Sequence, residues 1–165
     1  MTTATTTHAE TNATAWSGTI LSLWDAFQWA QDQRRTSLGL HTETREILEE
    51  CGAEFDKRSG EITDDCEPWN AIQSKIRERV QESVLSIQTR TAWHDPGDQQ
   101  PEDTEFRIWL TLGGPSLQIR GELTAYGAAH EPELVYSEMG LAPTRLPLDR
   151  SHQSALEWFA LQFFG

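Results

Sequence analysis

Histidine and cysteine carry much of the metal and nucleophilic chemistry of proteins, and in this chain their spacing matches no common site. No two histidines lie four residues apart, as they would in a helical zinc site. The histidines are His8, His41, His94, His130 and His152. Cys51 and Cys66 are fifteen residues apart with no C-x-x-C pair, which favours two ordinary buried or half-buried thiols. A joint site of both thiols with His41 is the open alternative, but we expect no metal ion and no cofactor.

Three other patterns are better explained as turns or loops than as catalytic or phosphate-binding sites. His94 and Asp95 could form a base and its orienting acid, but Asp-Pro-Gly at 95–97 is typical of a turn. Gly-Gly-Pro at 113–115 lacks the Lys-Ser/Thr of a phosphate loop, and the acids at 64–67 lack EF-hand spacing. There is no G-x-S-x-G motif either. The sequence therefore predicts a protein that is not an enzyme, since an enzyme would need polar groups converging in a pocket that no motif indicates.

Composition excludes several classes of protein. The chain has 165 residues, which favours one domain, and its 26 acids against 13 Lys+Arg give a net charge of −13. That balance argues against direct binding of nucleic acid. No apolar run approaches the roughly 18 residues of a membrane span, and no signal peptide is visible. The two cysteines are too few for a disulfide scaffold, so we expect the cytoplasm of a host cell.

Tryptophan is unusually frequent, with seven Trp beside six Phe and two Tyr. Because buried Trp dominates the energetics of cores and interfaces, we expect most of the seven to lie in the core. One or two would remain for a contact surface, and Trp93 and Trp109 are the candidates. Trp109 alternates with Phe106, Ile108 and Leu110, so it should face away from the core.

The first half of the chain predicts a tail followed by helices. Residues 1–15 are rich in threonine and lack apolar periodicity, which indicates a disordered tail, with a single domain over 16–165. Helical spacing begins at Trp16, with Ser17 or Thr19 as its cap. A second helix begins at Thr42 and stops at Gly52, and a third covers about 68–84.

The second half predicts strands and a closing helix. Alternation of apolar and polar residues indicates four strands near 85–91, 106–112, 117–123 and 132–136, with residues 140–147 irregular. Asp149 or Ser151 caps a last helix. The order predicts an α+β domain with N-terminal helices, a four-stranded antiparallel β-meander and a C-terminal helix packed on the sheet.

Several short motifs in residues 82–165 have a recognisable order. They are a tryptophan–proline–glycine turn at 93–97, Gly-Gly-Pro at 113–115, Gly-Glu-Leu at 121–123 and Phe-Phe-Gly at 163–165. This order resembles a group of small, uncharacterised proteins encoded by bacterial phages, prophages and plasmids. Two departures are Ser137-Glu138-Met139-Gly140-Leu141, where the group has a tryptophan-rich segment, and Ser116, where it has Ala. The resemblance implies no biochemical activity, only an accessory role in mobile elements.

The acidic residues are concentrated, and they supply the predicted contact surface. Residues 61–105 hold eleven acids and four bases, and a second acidic set follows the helix at 43–50. We expect the partner-binding residues to be Glu43, Glu46, Glu50, Asp64, Asp65, Glu67, Asp98, Glu102 and Asp103, with Trp109 as an anchor.

The leading hypothesis is a non-enzymatic inhibitor from a mobile element that covers the basic, nucleic-acid-binding surface of a host defence complex. Such a complex would be of the CRISPR or restriction type, and the contact would be with its protein and not with nucleic acid or a membrane. The alternative is a structural or regulatory interaction module without nucleic-acid mimicry. Acidity that serves solubility alone is a further explanation of the charge. The sequence does not indicate an oligomeric state.

Overall fold

A computed structural model describes residues 7–91, 103–113, 115–138 and 140–165. In these residues, three helices are followed along the chain by five strands and then by a fourth helix. The helices are α1 (His8–Gln31), α2 (Thr42–Glu50), α3 (Trp69–Glu82) and α4 (Arg150–Leu161). The strands are β1 (Ser86–Thr91), β2 (Asp103–Thr111), β3 (Ser116–Leu123), β4 (Ala129–Ser137) and β5 (Thr144–Arg145).

Helix α1 begins at His8, eight residues earlier than the sequence predicts. Thr7 is its N-cap, and the Thr7 hydroxyl oxygen accepts the Glu10 backbone N–H at 3.1 Å. Ala9 and Ala13 are buried one turn apart, and the Ala9 N–H donates to the Glu138 carboxylate at 3.2 Å. Residues 8–15 are therefore helix and not tail, because an alanine stripe can pack closely without any large apolar residue. Residues 1–6 lie outside the described residues.

Helix α1 lies at the centre of the molecule and packs against the three other helices and against β3 and β4. Its buried side chains, including Ile20, Leu23 and Phe27, belong to one hydrophobic cluster with residues from all four helices and from β2, β3 and β4. Helices α2 and α3 confirm the predicted second and third helices to within two residues at most ends. The burial of Ile72, Ile76 and Val80 on α3 follows the predicted period of four.

The strands form one antiparallel sheet in the order β1-β2-β3-β4-β5, and the predicted α+β class is confirmed. The predicted strand count of four is wrong, because Thr144–Arg145 adds a fifth strand inside the segment expected to be irregular. A strand of two residues is too short to show an alternating pattern, so no β signal is visible there in the sequence.

The sheet presents one face to the helices. Ile108, Ile119 and Leu134 are in register across β2, β3 and β4, and all three are fully buried. Helix α4 packs on β4 and α1, as predicted for the C-terminal helix. Its predicted cap is also confirmed, since the Asp149 carboxylate accepts the His152 backbone N–H at 2.9 Å.

Most of the tryptophans in the described residues pack in or against the core, as predicted. Trp29 is 1% exposed, stacks edge-on against Phe55 and Trp69, and donates its indole N–H to the Thr36 carbonyl at 2.9 Å. Trp16, Trp24, Trp69 and Trp158 are partly buried against the same cluster. Across the described ranges, no helix is both long and apolar enough to cross a membrane.

Candidate functional site

The acidic residues of α2 face outward because the other side of this helix is buried. Thr44, Ile47 and Leu48 face the core, and the positions between them leave an acidic stripe exposed. The stripe consists of Glu43, Glu46, Glu49 and Glu50. At one end of the stripe, Glu43 accepts a hydrogen bond from the Ser22 hydroxyl on α1 at 3.2 Å.

The loop between α2 and α3 brings further acids beside this stripe. Gly52 has φ +103°, which lets the chain turn sharply after α2, and its carbonyl accepts the Glu67 N–H at 2.9 Å. Phe55 is buried against Trp29 and anchors the middle of the loop. The loop is therefore held in place by backbone bonds and by an aromatic side chain in the core.

Two basic residues of α3 fasten the acids to the rest of the fold. Lys75 Nζ lies 2.6 Å from Glu67, and Arg79, one helical turn later, pairs with Glu50. Within α2, Arg45 pairs with Glu49 at 2.8 Å. All three pairs are substantially exposed, so each contributes only modestly to stability. Their role is to fix where the carboxylates lie.

The resulting acidic patch consists of Glu46, Glu49, Glu50, Glu54, Asp64, Asp65 and Glu67. Residues 42–67 contain ten acids and three bases, a net charge of −7 and more than half of the total for the chain. Glu46, Glu54, Asp64 and Asp65 are exposed, and none of them forms an ion pair with another described residue. An open depression of about 520 Å³ is lined by Glu49, Glu54, Asp65 and Glu67, and also by Arg45 and Lys57. The patch is a convergent negative surface that is only partly neutralised.

Trp109 lies on a different surface from the acidic patch. It is half-buried on the face of β2 opposite Phe106, Ile108 and Leu110, as its parity predicts. Its indole N–H donates to Gln88 at 3.1 Å, and the Arg107 guanidinium carbon lies 5.5 Å from its ring centroid. Helix α2 packs on α1 and makes no extensive contact with the described strands, so the acidic stripe and Trp109 belong to different surfaces. One partner surface cannot easily contact both.

The outer face of the sheet around Trp109 carries balanced charge that the sequence reasoning missed. Arg107 lies directly opposite Arg120, and in the next row Glu105 lies directly opposite Glu122. Such like-charged cross-strand pairs are unfavourable. Glu133 offsets part of the repulsion by pairing with Arg120 at 3.5 Å and Arg145 at 2.9 Å. In the sequence, the arginines at alternate strand positions are the feature that could have indicated this charged face.

These rows of charge border an open groove of about 820 Å³. Beside them, Gln118 is only 7% exposed, and its side-chain oxygen has no hydrogen-bond partner among the described residues. Gln118 lies between Trp109 and Val135 in the register of the sheet. The outer face thus combines paired charges with a half-buried aromatic ring and a buried amide.

The remaining predicted contact residues are separated from the patch or outside the described residues. Asp103 begins β2 and accepts a hydrogen bond from the Thr89 hydroxyl on β1. Asp98 and Glu102 lie outside the described residues, as does Trp93. Of the predicted residues, Asp65 and Glu67 line one depression, and Glu50 and Glu67 pair with α3. Glu43 and Glu46 are exposed on α2, Asp64 is exposed on the following loop, and Asp103 and Trp109 lie on the sheet.

The two cysteines are free thiols in the part of the chain that the structure describes. Cys51 is buried, and this burial raises the pKa of its thiol, while Cys66 is half-buried and also free. No group of three His, Cys, Asp or Glu in those ranges is placed to hold a metal ion. Asp25 is half-buried on α1, and its pKa is raised by that burial against the charges of His41, Arg34 and His152.

Comparison with protein-family models gives no match. Searches of curated proteins and of solved structures find no significant similarity either.

Proposed function

We propose that this protein is a non-enzymatic inhibitor that uses its acidic patch to cover a basic, nucleic-acid-binding surface of a host defence complex. The observation that carries the proposal is the patch itself: a net charge of −7 over residues 42–67, fixed on a folded scaffold and not spread along a tail. Surfaces of one sign concentrate potential and accelerate encounter with an oppositely charged partner.

The carboxylates are held in fixed positions and concentrated in one segment, and this arrangement favours a protein partner over a role in solubility alone. Solubility requires only scattered charge. Here α3 contributes Lys75 and Arg79 to hold Glu67 and Glu50, and the buried Phe55 anchors the loop that carries Glu54. A DNA-binding surface is arranged to meet rows of phosphate charges, so fixed carboxylates can occupy it in place of the backbone. The resemblance to accessory proteins of mobile elements supports a CRISPR or restriction complex as the partner.

The test is displacement of a labelled DNA duplex from purified CRISPR and restriction complexes, measured by the fluorescence anisotropy of the duplex. We expect the wild-type protein to displace the duplex, with inhibition that weakens steeply as salt is raised. The triple variant Glu46→Lys, Glu54→Lys, Asp65→Lys should inhibit at least about tenfold less well, because it replaces attraction with repulsion at the contact.

A matched control separates the patch from bulk charge. The triple variant Glu82→Lys, Glu122→Lys, Glu157→Lys changes the net charge equally, at exposed positions on α3, β3 and α4. It should inhibit to within about twofold of wild type if the patch makes the contact. If both triple variants inhibited as well as wild type, the proposal would be contradicted. If both lost inhibition to the same extent, the effect would be one of net charge and not of the patch.

A second candidate, an interaction module without mimicry, is favoured by one observation. Trp109 is a half-buried aromatic ring on the sheet face with balanced charge, and tryptophan is enriched at binding hot spots. A partner bound there would be lost on Trp109→Ala, would depend little on salt, and would be unaffected by the lysine substitutions in the acidic patch.

A further inference from the structure

The groove on the outer face of the sheet has the volume of a small-molecule site. It measures about 820 Å³, within the roughly 300–1,000 Å³ that is typical of ligand pockets. Strands β1, β2, β3 and β4 all contribute to its lining, so the groove rests on the paired part of the sheet. Arginines and glutamates make up most of that lining. A groove of this kind selects its ligand by charge.

Two arginines of the groove have too few carboxylate partners. Arg107 lies directly opposite Arg120, where side chains begin only about 4.5–5.5 Å apart. Arg107 forms no ion pair with another described residue, and its guanidinium carbon lies 5.5 Å from the Trp109 ring centroid. Glu133 lies 3.5 Å from Arg120 but only 2.9 Å from Arg145. One further carboxylate between Arg107 and Arg120 would accept hydrogen bonds from both guanidinium groups and offset their repulsion.

A bulge in β4 carries a glutamate into the same groove. At the register shift opposite Gly121, β4 has one residue more than β3, and Glu131 lines the groove there with φ +47°. A Cβ at Gly121 would lie 2.8 Å from the His130 carbonyl oxygen, so glycine lets the bulge approach. The Glu131 side chain is 79% exposed and lies 3.7 Å from the His130 ring, a pair that is ionic only when His130 is protonated. The bulge therefore offers a carboxylate to a cation in the groove.

We propose that the groove binds a small zwitterion of dipeptide length, with its carboxylate between Arg107 and Arg120 and its ammonium group at Glu131. Glu131 is two residues from Glu133, which lies directly opposite Arg120, so the two charged ends of the groove are about 7 Å apart. An extended dipeptide has the same length, since each residue spans about 3.3–3.6 Å. The termini of a free dipeptide match both the signs and the spacing of these charges.

Charge favours a zwitterion over a ligand with charge of one sign. Glu105, Glu131 and Glu133 line the groove beside the arginines and would repel a phosphate dianion or a dicarboxylate. A simple cation would leave the repulsion between the arginines in place. A ligand with one charge of each sign meets an opposite charge at both ends. This inference does not depend on the proposed function of the acidic patch.

The first test follows the indole N–H signal of Trp109 by proton–nitrogen correlation NMR. The Arg107 guanidinium lies over the Trp109 ring, so this signal reports a ligand in the groove, and Trp109→Phe assigns it. The probes are alanylalanine, its N-acetyl derivative, which lacks the ammonium group, and its C-terminal amide, which lacks the carboxylate. We expect a Kd for alanylalanine at least about tenfold lower than for either derivative, since each derivative loses one charged contact.

The second test removes the two contacts one at a time. Arg107→Gln should weaken alanylalanine binding by about tenfold or more. Glu131→Gly should abolish the preference for alanylalanine over its N-acetyl derivative, and glycine adopts φ +47° without strain, so the bulge is retained. Arg35→Gln is the matched control, at an exposed position between α1 and α2, and it should bind as wild type does.

Three outcomes would each overturn the proposal. They are equal binding of alanylalanine and its N-acetyl derivative to wild type, unchanged binding by Arg107→Gln, and the absence of any shift of the Trp109 signal with alanylalanine. Circular dichroism checks that all three variants stay folded.

Discussion

At the scale of single residues, Asp25 is a carboxylate whose burial works against folding. It lies half-buried on α1, where loss of hydration raises its pKa more strongly than His41, Arg34 and His152 lower it. No hydrogen bond from the described residues reaches its side chain. The ionised form is thus less favourable in the folded protein than in the unfolded chain.

We predict that Asp25→Asn raises the melting temperature at neutral pH, by about 2 °C for a chain of this size. A raised pKa means that the charge destabilises the fold above the folded-state pKa. The wild type recovers this stability as pH falls through that pKa, so the gain of the variant should disappear well below about pH 3.9, the ordinary value for aspartate. Calorimetric scans at several pH values measure the difference.

Asp149 gives the opposite sign and serves as the control. Its pKa is lowered by hydrogen bonds from the backbone and side chain of His152, so its charge stabilises α4 above the ordinary aspartate pKa. Asp149→Ala should lower the melting temperature at neutral pH, and this deficit should shrink as pH falls through the lowered pKa. A loss of stability in Asp25→Asn at neutral pH would show that the Asp25 carboxylate makes a favourable contact.

At the scale of elements, composition predicts a disordered tail where the structure has the N-terminal turns of α1. Ala9 and Ala13 are buried at 1% and 0% exposure, while the neighbouring Thr14 is exposed. We predict that Ala13→Asp destabilises the protein by about 3 kcal/mol or more, because it buries an unpaired charge. Thr14→Asp, one residue away, should stay within about 0.5 kcal/mol of wild type. Urea denaturation measures the free energy of unfolding of both variants. If neither variant differed from wild type, residues 8–15 would not pack against the core.

Elements with a strong period could be predicted from the sequence, and those without one could not. Ile72, Ile76 and Val80 marked α3, and the alternation around Ile108 marked β2 and fixed the outward side of Trp109. The alanine stripe of α1 and the two residues of β5 carry too little apolar side chain to produce a pattern.

The candidate site likewise contains features that local sequence predicts and features that it does not. Outward acids on α2 follow from helical spacing, but ion pairs such as Lys75–Glu67 join residues distant in sequence. The opposition of Arg107 and Arg120 requires the register of the sheet, which no local pattern contains. The same limit explains why local patterns predict one surface for Trp109 and the acids of α2, although α2 packs on α1 and Trp109 lies on the sheet.

At the scale of the whole molecule, the net charge of −13 is unevenly distributed, with −7 in residues 42–67 and −6 in the rest of the chain. The carboxylates of residues 42–67 are crowded into one segment, whereas on the outer face of the sheet Arg90, Arg120 and Arg145 pair with glutamates. Repulsion within the acidic patch is therefore a local cost to folding.

This arrangement predicts that stability rises with salt and that the patch is responsible. Above 0.1 M ionic strength the screening length is shorter than about 10 Å, so only neighbouring charges still interact. The melting temperature of wild type should increase from this concentration upward, and Glu46→Lys, Glu54→Lys, Asp65→Lys should remove most of the increase. The control triple at Glu82, Glu122 and Glu157 should retain it. A melting temperature that falls with salt in wild type would mean that the Arg79–Glu50 and Lys75–Glu67 pairs outweigh the repulsion among the remaining carboxylates.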